Sequence, residues 1–146
     1  MEKQKYLIKF GSESKTADGV SLEEAYDNAL GNLINPTEQN KKSLKENIKS
    51  ERDYEKDVLA GVINIEASKQ SDLRKFRLCL DLMDVINNST DEVILDDEDL
   101  DIINKGFKAA KEEVRKRWVF ARKLFRQLDK PEKYCDDAKT SEPVKS

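Results

Sequence analysis

Apolar residues recur along this chain at helical spacing, and the longest register of that pattern runs from Asp96 to Leu128. On a helical wheel at about 100° per residue, Leu100, Ile103, Phe107, Ala110, Val114, Trp118, Ala121, Phe125 and Leu128 fall within roughly 80° of one another. The spacing predicts one long C-terminal amphipathic helix, about 48 Å end to end at the usual rise per residue. That exceeds what a compact domain of this size needs for its own core, so the excess points to a partner. Lys105, Lys108, Lys111, Arg115, Lys116, Arg122, Lys123 and Arg126 occupy the opposite side of the same wheel.

Shorter patterns precede it. Tyr6, Ile8 and Phe10 fall on one side with Leu7 opposite and predict a short N-terminal strand over 5–10. Ser21 and Glu24 have the spacing of a capping box, and Leu22, Tyr26, Ala29, Leu30, Leu33 and Ile34 continue at helical spacing until Asn35-Pro36 stops the helix. Residues 41–57 are dominated by charge of both signs. Lys42 with Glu46 and Lys49 with Asp53 sit at i,i+4, which favours a solvated helix over disorder. The run 58–65 is left open between a continuation of that helix and a strand after Gly61. Ser71 or Asp72 caps a further helix with two apolar stripes, one through Leu73, Phe76, Leu80 and Met83 and one through Leu78, Leu82 and Val85. Such breadth predicts the most buried helix. It is expected to pack antiparallel on the long C-terminal helix, with Phe76, Leu80, Met83, Ile103, Phe107 and Val114 at the centre of the core. Val93-Ile94-Leu95 reads as a short extended segment, and Asp96 as the cap of the long helix.

The expected fold class is therefore mostly α, a small helical domain with polar extensions. Its parts are a strand plus helix over 1–36, a charged helical or extended linker over 37–70, a helical hairpin core over 71–128, and a polar tail over 129–146 that would be flexible on its own. Composition agrees with a modest core: of 146 residues 39% are charged and 37% hydrophobic, and the mean hydropathy is −0.80. No apolar run approaches the roughly 18 residues of a membrane span, and MEKQKYLIKF lacks the apolar core of a signal peptide. The expected setting is a cytoplasm, or a virion if the source is viral. Cys79 lies in an apolar pattern and Cys135 in the tail, so neither predicts a disulfide or a metal site.

Charge is sorted along the chain although the net is only −3. Seven acids and no base lie between Asp91 and Asp101, whereas nine bases and two acids lie between Lys105 and Arg126. Acids at a helix start and cations toward its end both complement the helix dipole. The acidic run also copies part of a calcium loop through Asp97, Asp99 and Asp101. Ile102 stands where that loop needs glycine and Lys108 where it needs a bidentate carboxylate, so no metal is expected.

The chain contains no histidine, which removes the commonest general base and the usual activated nucleophiles. Its five glycines are isolated, so there is no phosphate-cradling loop. No enzyme, cofactor or small-molecule substrate is expected. Trp118, Val119 and Phe120 in succession cannot share one face of a helix, which calls for a second packing surface around 115–125.

The leading expectation is a non-enzymatic helical interaction and assembly module, a structural component of a larger complex such as a virus or bacteriophage particle. It would bind a protein partner, or further copies of itself, through Trp118, Val119, Phe120, Lys108, Arg115, Arg122 and Arg126. The second expectation is a small regulator that contacts nucleic acid through the basic face. Membrane binding is not expected, because the apolar stripe is needed by the protein's own core.

Overall fold

A computed structural model describes residues 4–134. In chain order the elements are β1 (Lys5–Lys9), α1 (Leu22–Gly31), α2 (Glu38–Asn47), α3 (Glu51–Ala67), α4 (Leu73–Asn88), β2 (Glu92–Asp96), α5 (Asp97–Ala109), α6 (Glu112–Arg115), a single 3-10 turn (Lys116–Trp118), α7 (Arg122–Asp129) and β3 (Glu132–Tyr134). The protein is mostly helical with one small antiparallel sheet, in the order β2-β1-β3.

β1 is the middle strand. Ile8 faces Val93 on β2 and Tyr6 faces Leu95, which puts the apolar alternation of both strands on the face covered by helices. On its other edge Lys5 pairs with Tyr134 and Leu7 with Glu132. Ahead of the start of β3 a side chain takes over: Gln127 accepts from the Lys9 N–H at 2.7 Å and donates to the Lys9 carbonyl at 2.8 Å. The expected polar tail thus begins with a strand. Its amides satisfy a sheet edge that would otherwise stay open, a long-range pairing invisible to local polarity. The rest of that tail, with Cys135, lies outside the described residues.

The helix at the centre of the core is α3, inside the segment expected to be a linker. It buries Val58, Leu59, Val62, Ile63 and Ala67, with the predicted apolar run simply continuing the helix. Both α4 and α5 pack chiefly on α3, so the expected hairpin of those two helices is a layer with α3 between them. Gly106 makes the α3–α5 approach so close that a Cβ there would lie 2.1 Å from the Val62 carbonyl oxygen. Helix α4 consequently buries one narrow stripe, Cys79, Leu82 and Ile86, while Leu73, Leu80 and Val85 stay exposed. Of the six residues expected at the centre, only Ile103 is fully buried. Phe76, Met83, Phe107 and Val114 pack at the margin, and Leu80 is exposed.

Helix starts follow their caps. Ser21, Thr37, Ser50, Asp72 and Asp96 each accept a backbone N–H of the first turn. The charged stretch is two helices, because Ser50 caps a new one. Lys49 is thereby left outside it, paired with Asp57 instead of Asp53. The first helix stops at Gly31, earlier than the proline, and Asn35 adopts a left-handed φ of 50°.

The long C-terminal helix does not exist. It is divided into α5, α6, the 3-10 turn and α7, with Ala110 at ψ 140° leaving the helical region first. A straight helix would hold Phe107 and Phe125 about 27 Å apart, whereas their ring centroids lie 4.8 Å apart. The stripe folds back on itself, which buries apolar surface that an extended helix would leave in water.

Candidate interaction groove

The groove arises from that fold-back. Where α5 ends, its last carbonyls need donors, and the next helix supplies one. Arg115 Nε donates to the Phe107 carbonyl at 3.1 Å and its Nη2 to the Lys108 carbonyl at 2.7 Å. The same guanidinium lies 5.0 Å from the centroid of the Phe107 ring. The chain then turns through Lys116–Trp118, held to α3 by the Tyr54 hydroxyl, which donates to the Arg117 carbonyl at 2.6 Å. Trp118 comes to rest 5.7 Å from Phe107 and 5.9 Å from Phe125 between ring centroids. Helix α7 follows, burying Leu124 and Leu128 and pointing Arg122, Lys123 and Arg126 outward.

An open groove of about 880 Å³ lies between α5 and α7. Phe107, Trp118 and Phe125 form its floor, with Ile103 and Leu128 on its walls, and Lys108, Arg115, Arg122 and Arg126 stand around it with Asp129 as the single acid. A smaller depression beside it is lined by Ala17, Glu51, Phe120 and Lys123 and shares Val119, Arg122 and Arg126 with the first. Val119 therefore borders both hollows and Phe120 the smaller one, and they are 48% and 57% exposed.

Six of the seven residues singled out for partner binding line the larger groove, and Phe120 lines its neighbour. Their roles differ from the expectation in two places. Trp118 is buried, 9% exposed, because the helix break turns it inward. It shapes the floor and offers no free ring face. Arg115 is committed to the end of α5 and braces the site. Lys108, Arg122 and Arg126 have no ion pair among the described residues. Asn104 and Asp129 complete the lining and were missed, since nothing local marks them.

The acidic run resolves into the start of α5. Asp96 accepts from the Asp99 N–H at 2.8 Å and Asp99 accepts from the Asp96 N–H at 3.1 Å, a reciprocal capping box. Burial, together with the Asp96 carboxylate beside it, pushes the Asp99 carboxyl up to about 6 despite the N–H it accepts. Among the described residues no group of three or more acids and cysteines is placed to hold a metal ion, and no helix is long and apolar enough to cross a membrane. The chain matches no protein-family model, no curated protein and no solved structure.

Proposed function

We propose that this chain is a non-enzymatic helical interaction and assembly module, a structural component of a larger protein complex, whose groove between α5 and α7 holds an apolar, acidic segment of a protein partner. The observation that carries this reading is the meeting of an apolar aromatic floor with three cations, Lys108, Arg122 and Arg126, that have no ion pair among the described residues, in one concave site. An apolar floor gains from leaving water, and a basic rim selects and steers an acidic ligand. The competing reading is a nucleic-acid regulator. It has the cations but lacks stacking platforms: Trp118 is buried and packs with Phe107 and Phe125, which leaves only Phe120 well exposed beside the site.

Selection of displayed peptides on the immobilised full chain tests the proposal. Peptides that combine apolar residues with Asp or Glu should be enriched. Phe120→Ala should weaken them by about 1–3 kcal/mol, because exposed aromatics beside a groove anchor interfaces. Arg122→Gln should act mainly on association rate and salt dependence. Absence of enrichment would refute the proposal. Tight binding to DNA that falls steeply with salt, with Phe120→Ala silent and Arg122→Gln severe, would favour the competing reading instead.

A further inference from the structure

The helical hairpin of α1 and α2 is the least anchored part of the fold. Neither helix contains a buried residue, and α1 packs chiefly on α2. Its two ends are held firmly. Glu55 and Glu51 accept the Gly11 and Ser12 N–H groups at 2.6 and 3.2 Å, and Arg52 pairs with Glu13 at 2.9 Å, which fixes the chain before α1. The buried Ser50 caps α3 directly after α2. Beyond that root the hairpin ends in a connection whose apolar residues face water: Leu33 is 40% and Ile34 91% exposed. An isoleucine left that exposed at the tip of a hairpin has nothing to pack on among the described residues.

The charge on α1 is the complement of the groove, whereas α2 carries Lys41, Lys42 and Lys45 beside Glu38 and Glu46 and would have to lie on the side away from it. Helix α1 carries Glu23, Glu24 and Asp27 and no basic residue. Spaced i, i+1 and i+4, the three share one side of the helix. All three are exposed, with no ion pair among the described residues. The groove offers the reverse, an apolar floor with three cations that have no ion pair among the described residues. None of Glu23, Glu24, Asp27, Leu33 and Ile34 lines the groove of its own molecule.

We infer that the partner which fills the groove is a second copy of this chain, inserting its α1–α2 hairpin so that Leu33 and Ile34 reach the aromatic floor and Glu23, Glu24 and Asp27 face Lys108, Arg122 and Arg126. This rests on the groove being a protein-docking site and adds what docks there. Contact between unlike patches closes as a dimer only if each copy also receives the other's hairpin. Otherwise it closes as a ring or propagates as an open chain of subunits.

The experiment is light scattering after size-exclusion chromatography on the full chain and two charge-reversed forms. One form carries Glu23→Lys, Glu24→Lys and Asp27→Lys; the other carries Lys108→Glu, Arg122→Glu and Arg126→Glu. All six positions are exposed, so both forms should fold, which circular dichroism checks. The native chain should associate, and each reversed form alone should do so at least about tenfold more weakly, since like charges then face each other. An equimolar mixture of the two should recover association. Ile34→Ser should weaken the native complex without changing the melt of the monomer. A native chain that stays monomeric, or reversed forms whose mixture gains nothing over either alone, overturns the inference. If displayed acidic peptides still bind the groove of a monomeric chain, the groove reading survives and only the identity of the occupant fails. If they do not, both fail.

Discussion

Gly106→Ala and Gly61→Ala are the same chemical change, and the structure requires opposite signs for them. At Gly106 the added Cβ would sit 2.1 Å from the Val62 carbonyl oxygen and 2.9 Å from Val62 Cγ1. Favourable contacts begin near roughly 3.5 Å, so α5 must retreat from α3 by about 1.4 Å or bend. The obstacle is the backbone of Val62, in the middle of a helix, and it has no rotamer to move to. Overpacking of this kind costs about 1–3 kcal/mol, and a rigid neighbour places it at the upper end. Alanine returns about 1 kcal/mol of helix propensity, so a net loss of about 2 kcal/mol is expected, a large share of an ordinary domain's stability. At Gly61 a Cβ meets nothing within 4 Å, and the site is exposed inside α3. There only the propensity remains, a gain of about 0.5–1 kcal/mol. Urea unfolding followed by circular dichroism and by the fluorescence of Trp118, the single tryptophan, would measure both. Gly106→Ala as stable as the native chain would refute the close packing of α3 on α5, and with it the position of the groove's α5 wall.

Two carboxyl groups provide further tests. Asp99, raised from 3.8 to about 6, holds its proton more tightly in the folded chain than in the unfolded one. Its contribution to stability is therefore full below about pH 4 and is lost as the pH rises through about 6. A nuclear magnetic resonance titration should find its midpoint near 6, Asp99→Asn should flatten that decline, and a midpoint at or below 4 would contradict the burial of this side chain. Glu55, 1% exposed and pushed up chiefly by burial, accepts the Gly11 N–H at 2.6 Å. Glu55→Gln keeps an acceptor without the cost of a buried charge and should change stability by less than about 1 kcal/mol, whereas Glu55→Ala orphans the N–H and should cost about 1–3 kcal/mol in the same urea melts. Equal losses would show that the hydrogen bond contributes little.

The elements governed by local rules were legible. Tyr6, Ile8 and Phe10 mark β1 by alternation, and Ser21, Asp72 and Asp96 mark helix starts by a side chain that reaches a free N–H two or three residues on. What depends on distant partners was not. β3 is polar and qualifies as a strand only because β1 has an edge to fill. The break at Ala110 carries no proline or glycine of its own, and a stripe that folds back looks the same on a wheel as one that runs straight. One local sign of that break existed: Val119 and Phe120 fall out of phase with the stripe, as residues do where a helix has stopped. Read as a demand for a second surface, they pointed to residues that line the groove and its neighbour, by way of a backbone that the fold does not have. The prominence of α3 was hidden because its first half is charged and its apolar run is short, although its buried residues recur at helical spacing from Val58 to Ala67.

The middle strand of the sheet also sets a timetable. β1 is made first, yet Lys5 finds its neighbours only at Asp96 and Tyr134, so the sheet is among the most non-local contacts in the chain. Pairings of that kind are slow, because a long loop must close before any contact rewards it. On the ribosome, Ile8 and Phe10 emerge with no strand beside them and stay so while the helices between are synthesised. The packed pair α3 and α4 can form in that interval, but the sheet waits for both late strands. Throughout the delay the nascent chain displays an unpaired apolar strand, the kind of segment that holding chaperones cover and that aggregates when they do not.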